Sequence, residues 1–353
     1  MAKKVLIVDD SALVRKQLTE IISILDFEID TARNGKDAVE KATQTQYDVI
    51  TMDINMPVMD GIEAVKQIMN KQPTAILMVS SLTTEDATIT MEALDLGAID
   101  YISKPGTMNV GKNENREEII QKVKSLSRIP LRRLKQQVSR PRVRERKRVE
   151  RTTQKEELSS SKDITKVVMI GSSTGGPGLI EQICAALPSN YKYPVCIVQH
   201  MPAQFTSAFA TRLDRVSALN VHESSHNMEL LPGNIYVARG GVHMNFAKKV
   251  SGKIVIREDK EKGDNFFQPS VNEMLFSALD VFDPSQLVGV ILTGIGDDGA
   301  DGMVKLKKSG SYTLGESEES ATVYGMPKEA YDRGGVMEQL TFSQILKKIA
   351  TLK

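Results

Sequence analysis

Two doubly wound parallel α/β domains joined by a basic linker are predicted by three features of the 353-residue sequence. Short Val- and Ile-rich runs alternate with amphipathic runs from residue 4 to about residue 103, the pattern of repeated βα units. The alternation stops near residue 128 and resumes at Lys166. Between the two, residues 128–151 hold eleven Lys or Arg against two Glu, with Pro130 and Pro141 inside and three serines following at 159–161. Such a stretch repels itself and has little apolar surface to bury, so it reads as a linker.

Each element follows from its own residues. "KVLIV", "EIDTA", "YDVITM", "AILMV" and "YIS" have strand length and β-branched character. The runs between them, "ALVRKQLTEIISIL", "GKDAVEKA", "GIEAVKQIM" and "ATITMEALDLG", carry apolar residues at helical spacing. In the second half the strand-like runs are "VVMI", "PVCIVQ", "NIYVA", "KIVI" and "LVGVILT", and "MVKLKK" begins a helix. The domains are expected at 1–128 and 164–353, with 129–163 between them; no internal repeat relates the halves.

Composition narrows the classes. A 41% hydrophobic and 26% charged chain with net charge +1 is globular and has no global attraction to nucleic acid. The basic run lacks interleaved aromatics and a groove-reading helix, which favours a solvated linker. Two cysteines make no disulfide framework, and no leader pattern or run near the ~18 apolar residues of a membrane span is visible. A cytoplasmic protein without membrane insertion is expected.

Polar residues close the strands of the first half: Asp9 and Asp10, then Asp53, Ser80 and Lys104. The carboxyl ends of parallel strands converge on one edge, where three carboxylates would repel unless a hard divalent cation such as Mg²⁺ joined them. A lone Asp there would be mere turn punctuation; the whole series points to phosphoryl chemistry, with Asp53 the acceptor. "VDD", "MDINMPVMDG", "MVSS" and "YISKP" resemble, in order, the motifs of response-regulator receivers. The resemblance implies a flavodoxin-like fold and Mg²⁺ held with Asp9, Asp10 and Asp53. It further implies phosphorylation of Asp53 by a sensor histidine kinase and a switch made of Ser80, Tyr101 and Lys104.

The second half opens on "IGSSTGGPG", residues 170–178, which reads as a G-x-S-x-G turn exposing Ser173, as a phosphate loop, or as a plain strand-to-helix turn. A nucleophilic serine needs a base. His200 ends the run "PVCIVQH", and His243 follows a Gly-Gly pair. His222 and His226 spell the zinc pattern H-E-x-x-H, but Asn, Ser and a β-branched neighbour argue against the helix that pattern needs. Cys196 lies ~13 Å from His200 along a strand and is expected in the core. Asp297, Asp298 and Asp301 sit in a Gly-rich turn after "LVGVILT", as an orienting acid, a solvated turn or a calcium loop would.

"IGSSTGG", "VQHMP", "LPGNIYVARGGVH", "LTGIGDDGADGM" and "YGMP" resemble the catalytic-domain motifs of chemotaxis protein-glutamate methylesterases, with Ser172 and Ile295 where that family commonly has Ala and Met. The resemblance implies a Rossmann-like catalytic domain that needs no cofactor, with Ser173 as nucleophile, His200 as general base and acid, and Asp298 as orienter. Thr174 and Ile295 are the expected oxyanion donors. The implied reaction is hydrolysis of glutamate methyl esters on chemoreceptors, with deamidation of receptor glutamine at the same site. By the same resemblance the unmodified receiver covers the cleft and phosphorylation frees it. The alternative class is a non-enzymatic response regulator whose second domain binds DNA or protein.

Overall fold

The computed structural model describes residues 2–81, 83–105, 112–138 and 164–352, which fall into two compact units. The first unit runs β1 (Lys4–Val8), α1 (Ala12–Ile22), β2 (Glu28–Ala32), α2 (Gly35–Gln44), β3 (Val49–Asp53), α3 (Gly61–Lys71), β4 (Ala75–Ser80), α4 (Thr84–Leu96), β5 (Asp100–Ser103), α5 (Lys112–Leu126) and α6 (Leu131–Val138). Its five strands pair in parallel in the order β2-β1-β3-β4-β5. The central strand β3 is buried at every residue, and Val49, Ile50 and Met52 cover both of its faces with apolar side chains. Side chains cap the helices where the sequence changes period: Ser11, Asn34 and Asp60 accept the amides of Val14, Asp37 and Glu63.

Helix α6 lies inside the stretch assigned to the linker, and Leu134 at 5% exposure, with Ile129 beside it, joins the core of the first unit. Charge dominated the reading of this segment, yet two apolar residues suffice to dock a short helix. The remainder of that stretch, 139–163, lies outside the described residues.

The second unit runs β6 (Val167–Ser172), α7 (Pro177–Ala186), β7 (Val195–Gln199), α8 (Ala203–Val216), β8 (Asn220–Glu223), β9 (Asn234–Val237), β10 (His243–Lys248), β11 (Ile254–Asp259), α9 (Val271–Leu279), β12 (Leu287–Ile291), α10 (Ala300–Ser309), β13 (Tyr312–Glu316), α11 (Met326–Asp332), β14 (Glu338–Leu340) and α12 (Phe342–Ala350). Seven strands form a parallel sheet ordered β14-β13-β12-β6-β7-β9-β8. "KIVI" forms strand β11, which lies outside the seven-stranded sheet and pairs antiparallel with β10 in a separate hairpin. His222 lies on strand β8, so the helix that the zinc pattern requires is absent from this segment. Cys184 and Cys196 are free and fully buried, and burial pushes both thiols far up.

Both sheets reverse their winding beside the first strand. In the first unit β2 lies on one side of β1 and β3 on the other; in the second, β7 and β12 flank β6. A crevice opens at the carboxyl ends of such strands, because the helices that follow them leave for opposite faces. Asp9 and Asp53 occupy one crevice, and Ser173 the other. Among the described residues, no helix is long and apolar enough to cross a membrane.

Candidate functional site

In the first unit the sheet gathers the three acidic residues. One oxygen each from Asp9, Asp10 and Asp53 lies within 4.8 Å of the others, with Asp9 and Asp53 buried and Asp10 exposed. Asp53 Oδ1 accepts the Ile54 amide at 2.8 Å and faces Lys104 Nζ at 2.9 Å, while its Oδ2 is buried with no hydrogen-bond partner. Asp9 Oδ1 accepts the Ser11 amide, and its Oδ2 lies 3.3 Å from Lys104 Nζ. Burial pushes Asp53 up to about 6, aided by the Asp9 charge and opposed by the Lys104 hydrogen bond. Burial likewise raises Asp9. Lys104 is lowered by burial but held above its usual range by Asp53 and Asp9. A carboxylate with an unused buried oxygen beside two others suits an oxygen-loving divalent cation such as Mg²⁺, so the residues present fit the group.

Ser80 is buried at the end of β4 and Tyr101 is buried within β5, and the Lys104 amide donates to the Ser80 carbonyl at 2.8 Å. Gly61 makes the site compact. A Cβ there would stand 2.0 Å from the Asp53 carbonyl oxygen, so only glycine lets the turn after β3 fold back this closely.

In the second unit β6 and β7 run in register with Ser172 beside Gln199, and the His200 amide donates to the Ser172 carbonyl at 3.1 Å. The residues that follow, Ser173 and His200, are therefore neighbours across adjacent strand ends, ~5 Å apart at the backbone. On the other flank the Ser173 amide donates to the Thr293 carbonyl, just past β12. The two adjacent serines separate clearly. Ser172 Oγ is spent on Gln199 Oε1 at 2.7 Å and is fully buried, whereas Ser173 keeps 4% exposure and its hydroxyl makes no hydrogen bond among the described residues.

His200 Nε2 lies 2.8 Å from Asp298 Oδ2, and its Nδ1 is buried without a partner. The imidazole thus presents its nitrogens in the opposite sense to the serine-protease template, where the acid holds Nδ1. Phe267 stacks on the ring at 3.9 Å between centroids and 16° between planes.

Asp298 accepts three further bonds: Ser270 Oγ at 2.8 Å and the Asn272 amide at 3.0 Å on Oδ1, and the Val271 amide at 2.7 Å on Oδ2. The donors are the N-cap and first turn of α9, whose amides have no intrahelical acceptor. Burial alone would raise this carboxyl; the His200 hydrogen bond and the two amides outweigh it and hold the group below its usual range.

The expected oxyanion donors flank Ser173. Thr174 is buried, with its carbonyl accepting Thr293 Oγ1 at 2.8 Å, and the Ile295 amide makes no intramolecular hydrogen bond among the described residues. The late "YGMP" motif builds the turn that presents Ile295. The amides of Gly325 and Met326 both donate to the Gly294 carbonyl, and the Gly294 amide donates to Val323. A Cβ at Gly294 would meet Met326 Sδ at 2.1 Å and Ser173 Cβ at 2.9 Å, so this position too admits no side chain. Asp297 and Asp301 point elsewhere, both paired with Arg333 at the surface.

Sequence reasoning did not find Phe267, Ser270 or the amides of Val271 and Asn272. "SVNE", an N-cap Ser with Glu three residues on, signalled a helix start, but nothing local said which carboxylate it would meet. His243, weighed as a second base, is buried with Nδ1 accepting the Ser270 amide at 3.1 Å.

Both units match known protein families. Residues 168–349 match the CheB methylesterase family model, and residues 5–116 match that of the response regulator receiver domain. A protein-glutamate methylesterase/protein-glutamine glutaminase of Carboxydothermus hydrogenoformans is 46% identical over 99% of this chain and 98% of its own length. One from Archaeoglobus fulgidus is 41% identical over 98% and 97%. The crystal structure of the Thermotoga maritima CheB methylesterase catalytic domain superposes with a TM-score of 0.51, at 38% identity, covering 53% of this chain and 98% of that one.

The chain is thus a response regulator in which a receiver is followed by an enzymatic output domain rather than a DNA-binding one. It belongs to the CheB methylesterase family.

Proposed function

We propose that Ser173, His200 and Asp298 hydrolyse methyl esters of glutamate side chains on chemoreceptors, and deamidate glutamine by the same route, under control of phosphorylation at Asp53. The methylesterase and glutaminase activities are those for which the near full-length relatives are named. One observation carries the assignment of roles: Asp298 occupies His200 Nε2, leaving the buried, unpartnered Nδ1 as the ring nitrogen available to a neighbouring hydroxyl.

Ser173 Oγ attacks the ester carbonyl carbon while His200 Nδ1 takes the hydroxyl proton. The carbonyl oxygen becomes an oxyanion, stabilised by the Thr174 and Ile295 amides; one such donor is worth about 2.7–4 kcal/mol of barrier. The C–O bond to the methoxy group breaks, and Nδ1–H protonates it to methanol. Water then attacks the acyl-serine, again giving its proton to Nδ1, and the carboxylate leaves as Ser173 recovers its proton. With glutamine the group expelled is ammonia. Asp298, kept ionised by its four donors, fixes the Nε2–H tautomer and stabilises the imidazolium.

At the other site Asp9, Asp10 and Asp53 would hold Mg²⁺, which supplies charge neutralisation for phosphoryl transfer when bound. The Asp53 carboxylate is the attacking group; Lys104 balances charge at Oδ1, and Ser80 and Tyr101 respond to the phosphoryl group. A sensor histidine kinase is the donor, and the cytoplasm, where the receptor glutamates are exposed, is the expected compartment.

The test is methanol release from methylated receptor membranes, with and without a phosphoryl donor. Ser173→Ala abolishes release and Asp53→Asn removes the response to the donor. Full activity in the Ser173→Ala protein would overturn the triad.

A further inference from the structure

We infer that His243 is a positioning residue for the esterase: it anchors the segment 267–272 that holds both members of the His200–Asp298 pair. The inference rests on the triad proposed above.

Residues 267–272 do two things at once. Phe267 covers the face of the His200 ring, and Ser270, Val271 and Asn272 supply every hydrogen bond to Asp298 other than that from His200. Whatever fixes this segment therefore fixes the direction in which Nδ1 points. It is tied to the turn before β10 at two places: the Gly241 amide donates to the Gln268 carbonyl at 3.0 Å, and the Ser270 amide donates to His243 Nδ1 at 3.1 Å. The first tie is made by backbone and is indifferent to side chains. The second depends on an acceptor that His243 provides.

The tautomer follows from the bond. Nδ1 accepts an N–H, so in the neutral ring the proton sits on Nε2. That nitrogen is buried and has no partner. A histidine at 2% exposure with one nitrogen desolvated is a poor choice for filling space alone, since leucine would fill it with no buried nitrogen of its own. The residue is accounted for by its acceptor at the δ position.

Ser270 is the pivot. Its amide is held by His243, while its hydroxyl donates to Asp298 and accepts the Glu273 amide at 3.4 Å as the N-cap of α9. Without the His243 acceptor the Ser270 amide is left buried and unpaired, and the turn can relax only by moving the donors on Asp298. A shift of this kind leaves the substrate surface alone and misdirects the base, so it lowers kcat and spares KM.

The experiment compares three substitutions in the full-length chain. His243→Asn places a carbonyl oxygen where Nδ1 was; His243→Leu keeps apolar volume with no acceptor; His243→Gln carries its oxygen one atom too far. Methanol release gives kcat and KM, and the downfield proton resonance of the His200–Asp298 hydrogen bond reports its geometry directly. His243→Leu is expected to lose at least ~10-fold in kcat, the equivalent of one hydrogen bond, with KM within about twofold and the resonance shifted or broadened. His243→Asn is expected within about threefold of the parent, with the resonance retained.

Parental kcat in a folded Leu variant would overturn the role, as would a folded Asn variant as impaired as Leu. Should the Leu protein fail to fold, Gln against Asn makes the same comparison, and equal rates for those two would refute the acceptor. Ser173→Ala run alongside separates the readings: if it is active the triad fails, and if it is inactive while His243→Leu is normal only the positioning role fails.

Discussion

Replacing Asp298 with Asn keeps the shape of the side chain and removes its charge. Each carboxylate oxygen faces two donors: Oδ1 receives Ser270 Oγ–H and the Asn272 amide, and Oδ2 receives His200 Nε2–H and the Val271 amide. A carboxamide has one acceptor oxygen, so either orientation aims its NH₂ at a backbone N–H. Orphaning that amide costs about 1–3 kcal/mol of stability. With the amide oxygen toward His200, the tautomer survives but the imidazolium loses an anion at hydrogen-bond distance. At an effective dielectric constant near 20 such a pair is worth about 4 kcal/mol at ~4 Å; with part of that restored by the neutral bond, kcat falls roughly 10²- to 10³-fold. With the NH₂ toward His200, the proton is forced onto Nδ1, the atom needed as base, and the loss approaches 10⁴-fold. The measurement is methanol release under saturating substrate, with calorimetry for the stability change. A kcat within 10-fold of the parent would refute the claim that a buried, ionised Asp298 sets the state of His200.

Two further outcomes are expected. Gly294→Ala places a Cβ 2.1 Å from Met326 Sδ and 2.9 Å from Ser173 Cβ; Met326 must move, the Ile295 amide moves with it, and kcat drops at least 10-fold with little change in the melting of the first unit. Unaltered kcat would show that the turn at 294–295 takes no part in catalysis. The pH dependence of the receiver follows from Asp53, which titrates near 6 when folded against an ordinary value of 3.8. Between these values the folded state binds a proton that the unfolded state lacks, so without divalent cation stability falls as pH rises through pH 4–6, by up to about 3 kcal/mol. Asp53→Asn reduces this slope to what Asp9, also raised by burial, contributes, and Mg²⁺ affinity measured by titration calorimetry strengthens from pH 5 to 7 before levelling; a slope unchanged by Asp53→Asn would contradict the burial of an ionisable Asp53.

Much of this protein could be read along the chain. Strand and helix periods are local, so the βα units of both domains were visible, as were the polar residues that end their strands: Asp9, Asp53, Ser80 and Lys104 in one half, Ser173 and His200 in the other. Parallel pairing then brings strand ends to one edge whatever their separation in sequence, which is why a crevice at each switch point could be expected before any coordinates. A basic composition hid Ile129 and Leu134, which pack against the core of the first unit. "KIVI" was legible as a strand, but the period of two that marks a strand does not say which strand it will pair with.

What only the tertiary structure decided is the atomic assignment inside the second crevice. Sequence motifs named an imidazole and a carboxylate but not that Nε2 would meet Asp298, that Phe267 would cover the ring, or that α9 would offer its first amides to the acid. It could not say that "YGMP" folds back on Gly294, or that His243 supports Ser270. These contacts join residues 26 to 98 positions apart through side-chain rotamers and unsatisfied backbone groups. Their partners are chosen by packing in three dimensions, and no pattern of neighbours along the chain encodes that choice.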